Sequence, residues 1–285
     1  MAHPTLFHVD VFATGPLTGN GLTVFLDTEL WSASLMQRLT QEMRQFESIF
    51  LSEISPAGAT ARVFTVEEEL PFAGHPALGA AAVLHRTQAP QSDACAWKLK
   101  LPHGTVPIQT ERRENHYRCE MNQGKPVFGS SVAVAALKPI LSRLGLDETA
   151  IAPGLNAQVV STGLPYLIVP VVPAALAATK ISGSDLESRL ATVGAKFVFV
   201  LDVESREMRT WDNLGHVEDV ATGSAAGPAA AYLFSRGLAD PSEPVELAQG
   251  RFAGRPSRIT VVQDEDGDLL VSGEVWPVSQ GVLEI

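Results

Sequence analysis

"FAGHPALGAAAVL", residues 72–84, and "ATGSAAGPAAAYL", residues 221–233, are two versions of one pattern. Gly74 and Gly223 stand 149 positions apart, as do Ala80 and Ala229, Ala81 and Ala230, and Leu84 and Leu233. In each stretch a glycine permits close backbone approach and an alanine-rich apolar run follows, which predicts a turn feeding a helix. His75 follows the glycine in the first copy and Ser224 in the second. A chain that repeats itself in this way predicts two similar halves.

Length agrees. At 285 residues the chain exceeds one typical domain, and with 45% hydrophobic residues each half can bury a core. Halves of that size form a deep pocket more readily together than alone, so a cleft between them is the expected site. Around each glycine turn the pattern reads as many strands with one central helix. Examples are "LFHVDVF" (6–12), "ESIFLSEI" (47–54) and "ARVFTV" (61–66) before the first turn, and "KFVFVLDV" (196–203) and "EMRTW" (207–211) before the second. "WSASLMQRLTQEMRQF" (31–46) carries Leu35, Leu39 and Met43 on one helical face, with Ser32 or Ser34 as cap. "DLLVSG" (268–273) and "VLEI" (282–285) read as two closing strands. The expected class is α+β, with a linker in "NQGKPVFGSS", 122–131. The division is expected at residues 1–127 and 128–285, with the last strand free to pack on the first half.

Composition excludes several functions. The 21 basic residues stand against 32 acidic ones, a net charge of −11, and no Lys/Arg run appears. A nucleic-acid or anionic-membrane partner is not expected. "LPYLIVPVVPAALAA" (164–178) is too short for a membrane span and holds three prolines. "MAHPTLFHVDV" lacks the basic and apolar regions of a secretion signal, so a cytoplasmic protein is expected. Cys95 and Cys119, the only cysteines, read as buried structural thiols. Cys95, His103, His116 and Cys119 do not have zinc-motif spacing, and no metal is expected. The glycine turns lack both the Lys-Ser/Thr of a phosphate loop and the G-x-G-x-x-G of a dinucleotide site.

Three features can carry chemistry. The glycine turns are either tight helix entries or anion sites, in which free N–H groups and the helix dipole are joined by His75 or Ser224. Glu47 sits in "RQFESIFLSEI", where Ile49 and Leu51 share one strand face and Phe46 and Phe50 the other. Its carboxyl is either desolvated, which would bring it toward about 6–7 and suit it to proton transfer, or exposed at a strand end and paired with Arg44. Glu218 and Asp219 are either an exposed acidic pair or, for Asp219 five residues before Ser224, part of a pocket rim. Ser224 in "TGSAAG" is only loosely like a hydrolase elbow, which leaves a serine hydrolase as a weaker reading.

"GPLTGNGLTVFLD", "FESIFL", "ELPFAGHPALGAAAVL", "STGLPYLIV", "VEDVATGSAAGPAAAYL" and "LAQGRFAGRPSRI" resemble, in order and spacing, the PhzF-like proteins. That resemblance implies the diaminopimelate epimerase fold: two pseudo-symmetric halves, each a curved, mostly antiparallel sheet around a central helix. It implies a homodimeric isomerase acting on a small carboxylic acid without metal or organic cofactor. The phenazine-pathway member acts on trans-2,3-dihydro-3-hydroxyanthranilate. The family's acid/base glutamate falls on Glu47, its histidine on His75, its aspartate on Asp219 and its serine on Ser224. Gly74, Gly223 and Asn20 fall on substrate-binding positions. The implied reaction is a 1,3-proton shift, with Glu47 moving the proton and the paired turns holding the carboxylate. Three places depart from the family: Gly19-Asn20-Gly21 for Gly-Asn-Pro, Arg44-Gln45-Phe46 for Asn-Leu-Ser, and Arg209-Thr210-Trp211 for Arg-x-Phe. A related epimerase for another acid, or a carboxylate-binding protein without catalysis, shares the same turns.

Overall fold

The computed structural model describes residues 4–284. Alternating Val, Ile, Leu and Phe build strands whose inner residues are buried, and the chain divides into two compact units, with the last strand belonging partly to each. One comprises Met1–Asn122 with Ser272–Ile285, the other Gln123–Val271.

In the first unit β1 (Thr5–Val11) lies antiparallel to β2 (Asn20–Phe25). The chain crosses through α1 (Ala33–Met43) so that β3 (Glu47–Ser55) runs parallel to β2. Next come β4 (Gly58–Thr65), antiparallel to β3, and the two-residue β5 (Glu69–Leu70), antiparallel to β4. A second crossover, α2 (Gly74–Gln88), brings β6 (Ala94–Leu101) parallel to β4. β7 (Gly104–Arg112) and β8 (Tyr117–Asn122) continue antiparallel.

The second unit repeats this plan. It opens with β9 (Val127–Ser131) and α3 (Val134–Arg143), and then β10 (Gln158–Ser161), antiparallel to β9. β11 (Pro165–Val171) is antiparallel to β10. It is followed by α4 (Pro173–Ala178), α5 (Leu186–Ala191) and β12 (Phe197–Asp202), which is parallel to β11. β13 (Glu207–Trp211) pairs antiparallel with β12 and with the short β14 (Glu218–Asp219). α6 (Gly223–Ser235) then carries the chain to β15 (Val245–Gln249), parallel to β13, and β16 (Ser257–Gln263) follows antiparallel. Each unit is therefore a mostly antiparallel sheet with one helix at its centre, an α+β plan stated twice.

The central helices explain the repeated alanines. In α2 every residue from Gly74 to His85 is buried, and in α6 all but three are. A helix enclosed on all sides must carry small side chains if strands are to approach it. A Cβ on Gly79 would collide with Leu22 and come within 3.1–3.2 Å of Val11 and Val9. On the other side of the first sheet α1 packs Met36 and Leu39 onto Phe25, Phe50 and Phe64, with the Phe25 and Phe50 rings stacked at 4.7 Å. Ser32 caps α1, its Oγ accepting from Leu35 N at 3.2 Å. In the second unit Leu137, Leu141, Leu176, Leu186 and Leu190 form a core with Leu167, Val169, Val198 and Val200.

Four expectations need correction. Residues 268–273 and 282–285 are not two strands: β17 (Leu269–Val282) is continuous, while Ile285 lies outside the described residues. Pro277 is tolerated because the β1–β17 register shifts beside it, between His8 and Val9. Residues 127–131 of the supposed linker form β9, a strand with all five residues exposed. Phe46 precedes β3 and is exposed, so it shares no buried face with Phe50. Cys119 is buried but Cys95 only half-buried. The apolar stretch 164–178 splits into β11 and α4, and no helix among the described residues is long and apolar enough to cross a membrane.

Candidate active site

Glu47 is the first residue of β3, in register with Leu22 of the parallel β2, which puts both side chains on the α2 face. It is 5% exposed. His75 is the second residue of α2 and 6% exposed, and its Nδ1 lies 3.2 Å from Glu47 Oε2. Arg44 instead closes α1 in a left-handed conformation and is exposed. Of the two sequence readings, burial is therefore the one realised.

Burial pushes His75 from the ordinary 6.5 down to about 3, so the ring is neutral near pH 7. A neutral ring has one N–H. When that N–H faces Glu47 it donates to Oε2 and leaves Nε2 a bare acceptor; when Glu47 is protonated the roles reverse. Nε2 is buried and has no hydrogen-bond partner among the described residues. α2 begins from Ala73 in extended conformation with no side-chain cap, so its first-turn amides have no partner within the helix. Pro76 at the third position costs no helical bond there. A desolvated carboxyl, an unpartnered imidazole nitrogen and a helix N-terminus thus meet in one place.

This pair has a consequence for acid stability. The unfolded chain protonates His75 near 6.5, the folded chain only near 3, so between these values the unfolded state binds more protons. His75 therefore contributes stability above pH 6.5 that is lost as pH falls toward 3. Urea midpoints measured across this range should fall with pH, and less steeply in His75→Gln; equal slopes would rule out a buried neutral imidazole.

The second glycine turn is built from β14 and the start of α6. Arg209 on β13 donates to both carboxylate oxygens of Glu218, Nε–Oε1 at 2.8 Å and Nη2–Oε2 at 2.7 Å. Asp219 follows, and its Oδ2 accepts from Thr222 Oγ1 at 2.6 Å while Oδ1 accepts from Ala221 N at 3.3 Å. Gly223 is the first residue of α6, Ser224 the second, and Ser224 Oγ lies 2.7 Å from Tyr166 OH. The first unit has the same frame, for Arg62 on β4 holds Glu69 of β5 by Nε and Nη2 at 2.7 and 2.6 Å. Each arginine also lies over the aromatic ring two residues on, Phe64 or Trp211. The repeat thus includes an arginine clamp on the short strand ahead of each turn, not legible from the 149-residue offset alone.

Glu47 and His75 are brought together within the first unit, where Asn20 is also buried, at the start of β2. Asp219 and Ser224 flank one turn of the second, each bonded to a side chain that sequence reasoning missed: Thr222 for Asp219 and Tyr166 for Ser224. Gly21 and Gln45 are sterically coupled. A Cβ on Gly21 would strike Gln45 Oε1, so Gln45 occupies the space that Gly21 leaves. Among the described residues no group of three or more His, Cys, Asp or Glu is arranged to hold a metal ion. His116 instead stacks on Trp276 at 4.3 Å and lies 3.1 Å from Glu274.

A family model described as phenazine biosynthesis-like protein matches residues 9–281. The chain belongs to that family. The PhzF-like chain is 31% identical over 278 residues, 94% of its length and 93% of the relative's, to trans-2,3-dihydro-3-hydroxyanthranilate isomerase of Pseudomonas chlororaphis. It is 28% identical, over 95% of both chains, to a Salmonella typhimurium protein named an uncharacterized isomerase. A solved structure of a Pseudomonas aeruginosa protein described as a predicted epimerase superposes with a TM-score of 0.93 at 46% identity, covering 99% of each chain. Relatives along the full length are isomerases or epimerases by name, and the PhzF-like chain is an enzyme of the isomerase class.

Proposed function

We propose that the PhzF-like chain moves a proton by a 1,3-shift on a small cyclic or unsaturated carboxylic acid, with trans-2,3-dihydro-3-hydroxyanthranilate as the first candidate. The observation that carries this reading is the buried Glu47–His75 contact beside the uncapped start of α2. Glu47 as carboxylate takes a proton from an activated C–H. The released electron pair moves through the adjoining double bond, and the carbon two atoms away takes the same proton back. No electrons are gained or lost, so nothing in the balance calls for a redox partner.

His75, neutral, keeps the carboxylate oriented through Nδ1 and leaves Nε2 for the substrate. In the first unit the Gly74 amide and Asn20 are suited to a carboxylate, and in the second Asp219 and Ser224, with the Gly223 amide, are suited to polar substituents. Holding both groups in place lowers the entropy cost of reaching the transition state. The test is turnover of trans-2,3-dihydro-3-hydroxyanthranilate in D₂O followed by NMR, with other unsaturated cyclic acids in parallel. A shielded carboxyl should return mostly the original proton, so the product should carry less than one deuterium per turnover. Acids that bind without isomerising, and without deuterium at either carbon, would leave only a binding protein.

A further inference from the structure

Gln249, the last residue of β15, is 1% exposed and lies beneath the second glycine turn. Its amide orientation is fixed by its partners. Thr222 N–H can only donate, and it donates to Gln249 Oε1 at 3.0 Å, so the other end is the NH₂. Nε2 then gives one proton to the Asp219 carbonyl at 2.7 Å and the other to Thr222 Oγ1 at 2.9 Å. With its oxygen accepting from Gln249, the Thr222 hydroxyl sends its own proton to Asp219 Oδ2 at 2.6 Å. Ser257 Oγ has one proton to donate, with Val220 O at 2.7 Å and Gln249 O at 3.1 Å as its two acceptors. Gly250 closes the frame at φ 81°, where a Cβ would come within 2.6 Å of Val220 O.

The duplication shows what this chain of bonds is for. The arginine clamp, the short strand and the glycine turn occur in both units, as parts of the common frame. Asp219 and Thr222, however, stand 149 positions after Leu70 and Ala73, and β6, the counterpart of β15, ends in Leu101. Three apolar residues in one copy answer to three mutually bonded polar residues in the other. The common frame does not call for the polar set, because the first unit is built without it.

The geometry points to Gln249 and Thr222 as positioning residues that act through Asp219. The directed chain Gln249 to Thr222 to Asp219 holds one carboxylate oxygen as an acceptor and fixes the plane of the group, so that the carboxylate meets the substrate at one angle. This rests on the proposed placement of Asp219 in the site. The discriminating pair is Thr222→Val, which keeps the shape and loses the hydroxyl, and Thr222→Ser, which keeps the hydroxyl and loses the methyl. On trans-2,3-dihydro-3-hydroxyanthranilate, Thr222→Val should lower kcat about 10–100-fold with KM changed less than about threefold, and Thr222→Ser should stay within about threefold of wild type. Gln249→Glu, which cannot donate to Thr222, should behave as Thr222→Val.

A second readout needs no turnover. At pH 7 the Asp219 ¹³Cγ resonance should move in Thr222→Val and Gln249→Glu and stay in place in Thr222→Ser. If Thr222→Ser is the more damaged enzyme, or the resonance is the same in all variants, the positioning role is lost and packing explains the cluster. Asp219→Asn separates the two levels: near-wild-type turnover in that variant removes Asp219 from the reaction and this inference with it. Loss of turnover in Asp219→Asn with normal Thr222→Val overturns the positioning role alone.

Discussion

Glu47→Gln is expected to lower turnover by about 10²–10⁴-fold, the usual contribution of a positioned general acid–base. That corresponds to about 2.7–5.5 kcal/mol of transition-state stabilisation. Gln has the shape of Glu, and its amide can still bond the neutral His75 ring across the 3.2 Å contact, so the fold should not change. It cannot carry a proton between two carbons. Stability should move the other way, because Glu47 is 5% exposed and removing its charge relieves a desolvation cost. The variant should therefore melt at or above the wild-type temperature while losing turnover and deuterium exchange together. Activity within tenfold of wild type would remove Glu47 as the proton carrier. A lower melting temperature with the same loss would instead recast Glu47 as a structural partner of His75.

The halves were legible because burial on all sides imposes one rule on both central helices. At Gly79 not even a Cβ fits between α2 and the side chains of β1 and β2, and a second buried helix repeats the same small-residue spacing. Glu47 was legible only as two alternatives. A strand apolar on both faces shows that its middle is buried, not whether its first residue is, and the deciding partner, His75, comes from another element. β9 is not legible in the sequence because Val127–Ser131 is exposed throughout and follows Lys125 and Pro126, the composition of a connection. Pairing with β10 makes it a strand, and pairing is not local. Gln249 is the clearest case. It is one polar residue at the end of a short strand, and the parallel pairing of β13 with β15 brings it under Thr222 and Asp219. Periodicity reports the burial of a strand; it carries no information about which polar groups meet.

The second large effect belongs to Arg209, whose first-unit counterpart supplies the control. Arg209 is buried, and besides its two bonds to Glu218 its Nη1 donates to Leu176 O and Thr179 O, both at 3.0 Å. Its guanidinium lies between Trp211 and Phe252, 4.6 and 4.3 Å from the ring centres. Arg209→Met keeps much of the volume but strands the Glu218 carboxylate and two carbonyls where water hardly reaches. Breaking one partner out of such a buried pair costs about 3–5 kcal/mol, a large share of a total that for most domains is about 5–15. Arg62→Met removes the same bidentate geometry, yet Arg62 and Glu69 are each about one-third exposed, so water replaces the lost partner and the cost should stay near 1 kcal/mol or below. Glu218→Gln combined with Arg209→Met should recover part of the loss, because the stranded charge is gone. Arg209→Lys should recover less than its charge suggests, since an ammonium cannot reproduce the planar fork or the stacking. Urea unfolding of the five proteins orders these effects. Equal losses in Arg209→Met and Arg62→Met would mean that the two clamps are equally wet, and burial would not be what makes the Arg209–Glu218 clamp the stronger of the two.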